Sequence, residues 1–568
     1  MAVWRVLNKT KDGSLLDSVL AARNLSIKQP ADYPLSLPGS FPSALRLAQA
    51  VRNNEKIAVF GDYDCDGVCA AAVMELFLKK MGAKPIVRLP TRNEGYGMRP
   101  EQAKELAEKG ASLIVTVDNG IAAAEAVRAA KELGADVIVT DHHEPPEILP
   151  PTPFLVNPKL FRKGYAEYSG AGVAYLLCCE AAKLLNKPEP VELLDLVALA
   201  TVVDACPVTG ENFALSRRGL LLMRERPRPG IAALVDVARA KKLGGYALAW
   251  QIGPRVNAAG RMADPALAYR LITAESANEA LSAARGIDRL NAKRQELAEK
   301  AVGECLKNYK DQRFPVFIIE HPHGVAGVVA GRLAETLCRP VLVGSLEGNK
   351  VRASGRTAGS FDLFGALLEC RKKTGLFSSL GGHRKAAGVS FAVNDTEKIA
   401  LTLEEIACRW LRPEDMVRTV GVDAVLRRVP EPEEIAELDV LEPYGEENPE
   451  PTFYVSGPVE VIKQNCDWAL VRLNGLKMFV KPEDLHGSRL DAVVNLRIDE
   501  RGGVIAQKVD ARPFSVTRKQ LSWYYDRWKE GEAVPEIAKT IFKELGLEGS
   551  RKRADLLESA TYRNYGLC

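Results

Sequence analysis

The chain has 568 residues, of which 46% are hydrophobic and 26% are charged, and its formal net charge is +4. This length and composition predict several globular domains and exclude a largely disordered chain, while the near-neutral charge does not by itself indicate a nucleic-acid-binding protein. The sequence has no run of eighteen apolar residues and no signal-peptide pattern, and its 11 cysteines are scattered without a Cys-x-x-Cys pair. We therefore expect a cytoplasmic protein with reduced thiols and no membrane segment.

The first informative element is an apolar run at residues 56–60, which predicts a buried strand and is followed by Asp62, Asp64 and Asp66. Carboxylates this close together repel one another unless a cation lies between them, and Mg²⁺ and Mn²⁺ prefer oxygen ligands. A calcium-binding EF-hand loop begins with the same spacing, but it needs a glutamate where this chain has Val73 and a helix where this chain has a strand. The pattern thus predicts a catalytic cation site at a strand end.

The same arrangement, an apolar run that ends in acidic or imidazole side chains, occurs twice more. Residues 112–117 end before Asp118, and residues 136–140 end before the tripeptide Asp141–His143. Helical patterns separate these runs, at residues 68–81, 100–109 and 121–133. Strands that alternate with helices predict a parallel sheet, whose ligand lies outside the carboxyl ends of the strands. We therefore expect a pair of Mn²⁺ or Mg²⁺ ions, as used for phosphoester hydrolysis, at a rim with these side chains: Asp62, Asp64, Asp66, Asp118, Asp141 and His142.

Composition shifts divide the remaining chain. Residues 275–309 are polar and Ala-rich, which predicts one long helix, and short β-like runs between residues 455 and 509 predict a small barrel. The predicted parts are an N-terminal extension (1–55) with a loop at Pro30, Pro34 and Pro38, a catalytic α/β domain (56–225), a connector that includes the long helix (226–310), a second α/β domain (311–412), a barrel (413–514) and a C-terminal segment (515–568) with helices near 535–545 and 551–557.

Glycine-rich and basic segments beyond the first domain are candidates for contacts with phosphate. Consecutive glycines at residues 381–388 let backbone amides approach an anion, and neighbouring basic side chains add charge. Alternatively, residues 381–388 form an ordinary turn. The arginines of residues 253–262 either bind a phosphate or form an ion pair between domains. The candidates are Arg255, Asn257, Arg261, Ser354, Arg356, Gly382, His383 and Arg384.

The predicted barrel and the C-terminal segment supply candidates for contact with a nucleic-acid strand. Aromatic residues of the barrel either stack on the bases of a single strand or form the barrel core. These residues are Phe453, Tyr454, Trp468 and Phe479. The basic run 551–553 either contacts DNA or a partner, or it belongs to a solvated helix face.

The order of these motifs resembles that of the DHH phosphoesterase superfamily. The matching segments are Asp62–Gly67, Val117–Gly120, Asp141–His143 and Ala200–Asn212, the last of which contains Asp204. Residues 253–262 and 441–453 are similar to segments of the RecJ family of exonucleases within it, and residues 354–357 and 381–388 resemble the phosphate-binding loops of a DHH-associated domain. The resemblance extends from Lys56 to the end of the predicted barrel.

This resemblance implies a DHH-type parallel sheet flanked by helices, a DHH-associated α/β domain joined by a long helix, and a C-terminal OB-like barrel. The implied activity is metal-dependent 5′-to-3′ hydrolysis of single-stranded DNA to mononucleotides in DNA repair and recombination, with single-strand-binding protein and a helicase as partners. Because a multidomain chain can close its own groove, we expect a monomer. The implied ligands of two Mn²⁺ or Mg²⁺ ions are Asp62, Asp64, Asp66, Asp118, His142 and Asp204. His143 would contact the scissile phosphate or protonate the leaving oxygen, and Asp141 would orient His142.

Two departures from the family pattern leave alternatives open. RecJ proteins carry a histidine where this chain has Pro322, which is flanked by His321 and His323, so either neighbour substitutes for it or the role is lost. Cys65, where a small apolar residue is common, is either an inert side chain or a ligand. The alternative functions are a phosphodiesterase for short oligonucleotides, cyclic dinucleotides or pyrophosphate, and a DNA-binding scaffold without catalysis.

Overall fold

The computed structural model describes residues 2–7, 14–25, 37–160 except 93 and 96, 167–485 except 227, 489–512 except 500, 518–530 and 542. The chain forms two compact units, a larger one with residues 28–415 and 442–449, and a smaller one with residues 1–27, 416–441 and 450–568. The smaller unit begins with β1 (Val3–Val6) and α1 (Leu15–Arg23).

The larger unit begins with α2 and a parallel sheet in the strand order β3-β2-β4-β5-β6. The elements are α2 (Phe41–Arg52), β2 (Ile57–Phe60), α3 (Cys65–Lys80), β3 (Ile86–Arg88), α4 (Pro100–Glu108), β4 (Leu113–Val117), α5 (Ala124–Glu132), β5 (Asp136–Thr140) and β6 (Leu155–Val156). The central strands are continuous apolar runs because helices cover both faces of such a sheet. The predicted parallel sheet flanked by helices is confirmed.

A helical layer follows the sheet and leads into the long helix that the sequence predicts. Its elements are α6 (Gly170–Leu184), α7 (Leu194–Val203), α8 (Gly210–Arg224), α9 (Pro229–Ala238), a π-helical segment (Ala247–Ile252), α10 (Gly253–Met262), α11 (Ala266–Ile272) and α12 (Ala277–Lys307). Because α3, α6 and α7 are apolar on nearly all sides, they are buried together and form the main core with one face of the sheet.

The rest of the larger unit is a mixed five-stranded sheet in the order β10-β11-β9-β8-β7, in which only β7 and β8 run parallel. Its elements are β7 (Val316–Ile319), α13 (His323–Leu337), β8 (Val341–Glu347), β9 (Lys350–Arg356), α14 (Leu363–Thr374), β10 (Ser379–Gly382), β11 (Ala386–Ala392) and α15 (Thr396–Trp410). Helix α12 packs directly against α13, which joins this sheet to the helical layer.

The smaller unit is a barrel, as the sequence predicts, because β14 pairs with both β15 and β17 and thereby closes the sheet. Its further elements are β12 (Thr419–Val422), β13 (Ala424–Val425), α16 (Pro432–Glu437), β14 (Phe453–Gln464), β15 (Ala469–Leu473), β16 (Leu476–Val480), β17 (Arg489–Ile498), β18 (Val504–Arg512) and α17 (Arg518–Lys529). Within the described residues, short 3₁₀ helices lie at Pro158–Leu160, Val191–Leu193, Val393–Asp395, Pro413–Met416, Leu438–Leu441 and Pro482–Asp484.

The start of the chain is built into the smaller unit, where β1 pairs in parallel with β12. Arg23 of α1 also forms a buried bidentate ion pair with Asp423. Strand β1 and helix α1 thus belong to the smaller unit, whereas α2 belongs to the larger unit and packs against α6. The predicted loop at Pro30 and Pro34, the helices near 535–545 and 551–557 and the basic run 551–553 lie outside the described residues. Within the described part of the chain, none of the helices combines the length and apolarity that crossing a membrane requires.

Candidate active site

The register of the parallel sheet brings three acidic strand ends to one level of its rim. Phe60 pairs with Thr116, so Asp62 and Asp118 each stand two residues beyond a paired position. Val117 pairs with Thr140, so Asp118 and Asp141 each stand one residue beyond this second pair. The rim predicted from the sequence therefore exists, and the sheet's hydrogen bonds set its spacing.

The first motif is held by a close approach between its loop and the first turn of α3. Asp64 caps α3 by accepting a hydrogen bond from the Gly67 amide at 3.0 Å. Position 67 requires glycine because a Cβ atom there would overlap the backbone and Cβ of Asp62. Cys65 is fully buried in the apolar core, as expected of an inert small side chain.

Asp66 is bound by the amino end of α6, which the sequence did not indicate. Its two carboxylate oxygens accept hydrogen bonds from the amides of Gly170 at 2.6 Å and Ala171 at 2.8 Å. A Cβ atom at position 170 would overlap the carboxylate of Asp118, so this glycine lets the helix end lie against both acids. Burial, followed by repulsion from Asp64, nevertheless raises the pKa of Asp66 to about 7.

Asp118 combines a left-handed backbone with a buried carboxylate oxygen that has no hydrogen-bond partner among the described residues. Its φ of 61° is left-handed, which is costly for a residue other than glycine, and its side chain is 2% exposed. Atom Oδ1 is buried and has no hydrogen-bond partner among the described residues, although it lies 3.1 Å from His142 Nε2. Burial raises the pKa of Asp118 well above its usual range, and repulsion from Asp66 and Asp64 adds to this effect.

His142 points its Nε2 atom into the group of acids. The atom lies 3.1 Å from Asp118 Oδ1, 3.7 Å from Asp66 Oδ2 and 3.8 Å from Asp204 Oδ2. Burial, together with the charge of His143, lowers the pKa of His142 to about 3, so the ring is neutral. Metal ions bind the neutral form of imidazole, so His142 can act as a metal ligand beside these carboxylates.

Asp204 reaches the same place from the carboxyl end of α7. The helix ends with Ala205 in the left-handed conformation, at φ 55°, and the amides of Ala205 and Cys206 donate back to the carbonyls of Val202 and Thr201. This ending directs Asp204 toward His142 and also places the Cys206 thiol 3.5 Å from Asp204 Oδ2. The sequence analysis did not consider Cys206.

These side chains form what we term the carboxylate cluster: Asp62, Asp64, Asp66, Asp118, His142 and Asp204. The pKa of Asp62 and of Asp204 is raised well above its usual range, mainly by burial and then by neighbouring carboxylates. Asp62, Asp66 and Asp118 are buried, whereas Asp64 is half-buried and Asp204 is exposed. Such a cluster, with one unpartnered oxygen, fits divalent cations, because a positive charge between the acids removes their repulsion. The oxygen-rich ligand set suits Mn²⁺ or Mg²⁺.

Asp141 belongs to the rim but makes different contacts. Its Oδ2 accepts from the Ile121 amide, and its Oδ1 accepts from the amides of His142 and His143 and lies 2.7 Å from His143 Nδ1. Its side chain therefore orients the imidazole of His143, and not that of His142 as expected from the sequence, because it reaches only the backbone amide of His142. Burial alone lowers the pKa of His143, but the hydrogen bond and charge of Asp141 outweigh it and raise this pKa to about 9.

His383 of the mixed sheet joins this group. Its ring stacks on that of His143, with 5.7 Å between centroids and 22° between planes. The rest of the 381–388 segment is a hairpin turn between β10 and β11, in which Arg384 donates to the Ser360 carbonyl and Lys385 pairs with Glu446. Gly382 has a φ of 139°, and a Cβ atom there would overlap the Ala386 carbonyl, so this glycine is required by the turn. A role of Gly382 and Arg384 in phosphate binding stays a prediction.

Helix α10 joins the two sheets through close contacts. A Cβ atom at Gly260 would overlap the carbonyl of Tyr63, and one at Gly324 would overlap the carbonyl of Arg261. Asn257 accepts a hydrogen bond from the Cys65 amide at 2.9 Å and so supports the first motif. Arg255 pairs with Asp288 of α12 at 2.9 Å, which is the ion-pair alternative considered for this arginine.

Three arginines from separate parts of the chain meet beside this joint, and we term them the arginine cluster: Arg92, Arg261 and Arg356. Desolvation, followed by the charges of the other two arginines, lowers the pKa of Arg261 to about 9. Ser354 and Arg356 lie side by side on β9 and both face Gly327 of α13, where a Cβ atom would be 3.3 Å from Arg356 Nη2. Arg92 was not a candidate from the sequence, because it lies in a loop without a motif.

The histidines around Pro322 have different surroundings. His321 Nε2 lies 3.4 Å from Glu304 of α12, away from either cluster. His323 begins α13, and the charges of Arg92 and Arg352 add to burial in lowering its pKa. Its Nδ1 atom is buried without a hydrogen-bond partner in the described part of the chain. Of the two neighbours, His323 is the one that lies near the arginine cluster.

The four aromatic candidates of the barrel separate into two pairs. Phe453 is fully buried and Tyr454 packs edge-on against Trp4, so neither presents a face to a base. Phe479 is 60% exposed and lies edge-on to Trp468, with 5.5 Å between centroids. Lys463 Nζ lies 5.9 Å from the centre of the Trp468 ring. This second pair has the composition of a stacking platform for single strands.

Residues 56–201 match the DHH family, N-terminal domain. The chain is 36% identical over 566 residues to the single-stranded-DNA-specific exonuclease RecJ of Bacillus subtilis (strain 168), an alignment that covers 96% of this chain and 69% of that protein. Among solved structures, RecJ of Thermus thermophilus in complex with Mn²⁺ aligns with a TM-score of 0.78 and 30% identity over 90% of this chain and 79% of that one. The same protein in complex with Mg²⁺ gives a TM-score of 0.72 and 28% identity over 90% and 78%. This agreement in sequence and fold over most of the chain means that the chain belongs to the RecJ family of single-stranded-DNA-specific exonucleases.

Proposed function

We propose that this chain is a metal-dependent exonuclease that hydrolyses single-stranded DNA from the 5′ end to mononucleotides, in DNA repair and recombination. The observation that carries the proposal is the carboxylate cluster, in which acids that include the buried Asp62 and Asp66 lie beside an unpartnered oxygen of Asp118 at the rim of the sheet. The family relationship supports the substrate, and the polarity is the one expected of that family.

The residues that would hold two Mn²⁺ or Mg²⁺ ions are Asp62, Asp64, Asp66, Asp118, His142 and Asp204. When bound, the ions supply a nucleophile at neutral pH and neutralise charge that develops on the scissile phosphate. The protein contributes a rigid frame, because the sheet register and the amino end of α6 hold the carboxylates in place before substrate arrives.

His143 provides a proton beside the cluster. Its hydrogen bond to Asp141 through Nδ1 keeps the imidazole charged near neutral pH and leaves Nε2 as the atom that carries the second proton. We propose that this proton binds the scissile phosphate or passes to the leaving oxygen. The stacked ring of His383 restricts the orientation of His143 from the side of the mixed sheet.

The arginine cluster would bind a second phosphate of the strand. Besides desolvation, the charges of Arg92 and Arg356 lower the pKa of Arg261, and the charge of Arg92 lowers that of Arg356. An anion among these side chains removes that repulsion. Arginine forks bind phosphate oxygens in pairs, and the Ser354 hydroxyl beside Arg356 can add a hydrogen bond. A phosphate held here would fix the register of the strand relative to the carboxylate cluster.

Partners and compartment complete the proposal. We propose that Trp468 and Phe479 of the barrel stack on bases of the strand, that the chain acts as a monomer, and that single-strand-binding protein and a helicase are its partners, as the family leads us to expect. A cytoplasmic location agrees with a DNA substrate and with the free thiols of the ten cysteines within the described residues.

The proposal is tested with a 5′-labelled single strand, its 3′-labelled counterpart and a blunt duplex, each incubated with Mn²⁺, with Mg²⁺ and with EDTA. We expect early release of a labelled mononucleotide from the 5′-labelled strand alone, and no release in EDTA or by the Asp118→Asn variant. Early release of the 3′ label would overturn the polarity. Cleavage of dinucleotides only would favour the small-substrate alternative, and binding without cleavage would favour the scaffold.

A further inference from the structure

Cys206 brings a thiol to the edge of the carboxylate cluster, and the proposed function does not use it. The side chain is 6% exposed, and its Sγ atom lies 3.5 Å from Asp204 Oδ2. His142, Asp204 and Cys206 each offer one ligand atom, and the three atoms lie within 4.8 Å of one another. A nitrogen, an oxygen and a sulfur donor therefore face the same small space.

The backbone holds this thiol in place. Cys206 follows the left-handed residue Ala205, and its amide hydrogen bond to the Thr201 carbonyl, at 3.1 Å, is part of the ending of α7. The same ending positions Asp204, so the carboxylate and the thiol are fixed as a pair. A thiol held in this way needs little rearrangement to bind a metal ion beside His142.

A second observation points to a ligand at this place. Oδ1 of Asp118 is buried, has no hydrogen-bond partner in the described part of the chain and lies 3.1 Å from His142 Nε2. An unpartnered buried carboxylate oxygen is costly, and a cation compensates for it. The donors that share one space are the oxygen of Asp204, the nitrogen of His142 and the sulfur of Cys206. His142 is also the neighbour of the unpartnered Asp118 oxygen.

We propose that His142, Asp204 and Cys206 form a site that captures thiophilic divalent cations, Zn²⁺ in particular, more tightly than Mn²⁺ or Mg²⁺, and that capture arrests hydrolysis. Zinc accepts cysteine, histidine and carboxylate ligands in a tetrahedron, and a mixed sulfur, nitrogen and oxygen site binds it more tightly than manganese. A zinc ion held here would occupy His142 and Asp204, which the Mn²⁺ or Mg²⁺ ions of the reaction need. On capture the thiol proton passes to solvent, a sulfur–zinc bond forms and no electrons are transferred. Only the arrest of hydrolysis rests on the proposed function.

The thiolate bond is tested by spectroscopy on the metal-free full-length chain, with Co²⁺ as the probe. We expect a near-ultraviolet sulfur-to-cobalt charge-transfer band in the wild type, absent from Cys206→Ser and Cys206→Val and removed by added Zn²⁺. Cys408→Ser, which deletes an exposed thiol of α15, is the matched control and should keep the band. A band of equal strength in the Cys206 variants would overturn the proposal. Thermal unfolding of each variant shows whether it is folded, and two replacements are made so that one folding failure does not end the test.

The consequence for hydrolysis is measured as inhibition by Zn²⁺ of Mn²⁺-supported cleavage, with each variant's own Mn²⁺ rate as its reference. Loss of a zinc ligand should raise the Zn²⁺ concentration for half-inhibition by about tenfold or more in Cys206→Val, and leave it unchanged in Cys408→Ser. Equal inhibition of wild type and Cys206→Val would contradict the proposal. If no variant cleaves DNA with any metal, the proposed function fails, while the cobalt titration still decides the ligand.

Discussion

The larger unit contains two clusters of like charge, and they respond to burial in opposite directions. In the carboxylate cluster the pKa of Asp66 is raised to about 7, whereas in the arginine cluster the pKa of Arg261 is lowered to about 9. In each cluster, burial and repulsion between like charges disfavour the charged form of the side chains. A partner of the opposite charge stabilises that form. Cations and a phosphate-bearing strand are such partners, so both clusters are understood as parts of a single binding site whose remaining charges come from the substrate and its metal ions.

The two clusters differ in how they are held. The carboxylates are short side chains fixed by sheet register, helix ends and backbone amides. The arginines are long side chains that depend on the joint at α10, where Gly260 and Gly324 allow close contacts. We therefore expect changes in the first cluster to affect chemistry, and changes in the second to affect binding of the strand.

The largest effect should come from Asp118→Asn, which keeps the shape of the side chain and removes its charge. Loss of a cation ligand should lower kcat roughly 10³-fold. In EDTA the same variant should unfold at a higher temperature than the wild type, because one repelling charge is gone, and added Mn²⁺ should stabilise it less. Labelled-strand kinetics and thermal unfolding check both outcomes. Glu125→Gln, which changes a 73% exposed side chain, is the control. An unchanged kcat in Asp118→Asn would contradict the assignment of Asp118 as a cation ligand.

A smaller and different effect is expected of Arg261→Gln. Removing a charge-assisted contact of about 1.5–3 kcal/mol should raise KM for the strand roughly 10- to 100-fold while kcat changes less. Arg255→Gln is the matched control on the same helix, since Arg255 pairs with Asp288 and should affect folding stability more than KM. Steady-state kinetics on one oligonucleotide separates the two arginines. An equal rise in KM for both variants would return Arg255 to the phosphate-binding group.

The barrel carries neither cluster, and its aromatic pair Trp468 and Phe479 should have a moderate effect. Trp468→Ala should weaken binding of a long single strand by about 1 kcal/mol, roughly fivefold, because one stacking surface is lost. Equilibrium binding to strands of increasing length in Ca²⁺ or EDTA measures this change without cleavage. Trp523→Ala removes an exposed tryptophan of the same unit and is the control. If both variants lose the same affinity, stacking is not specific to the Trp468 surface.

The smallest effect concerns pH and stability in the metal-free protein. The pKa of His143 is raised from 6.5 to about 9, so its ion pair with Asp141 contributes fully to stability below pH 6.5 and the contribution is lost as pH rises through about 9. Wild type should therefore exceed His143→Asn in unfolding free energy at acidic pH by about 1–2 kcal/mol and converge with it above pH 9. Urea unfolding in EDTA across this range tests the sign. A difference that grows with pH would show that His143 is neutral in the folded protein.

The sequence by itself determined the elements whose signal is local. Apolar runs and helical periodicity predicted the central strands of the parallel sheet, the long helix α12 and all five strands that close the barrel. They also predicted the acidic rim, because residues that directly follow parallel strands must share one edge. The short strands β3 and β6, with three and two residues, were not predicted, since they are too short to show a period.

Only the tertiary structure decided which distant residues meet. Arg92 lies near Arg261 and Arg356 because of the contacts at α10. Cys206 lies beside the carboxylate cluster because of the way α7 ends. Neither arrangement produces a repeating pattern in the sequence. The alternation of residues along a strand likewise shows that the strand has two faces, but not which face the protein covers. The sequence therefore did not show that Phe453 is buried and Phe479 is exposed. Local periodicity reports the backbone's own hydrogen bonding, whereas these outcomes depend on packing between segments far apart in the chain.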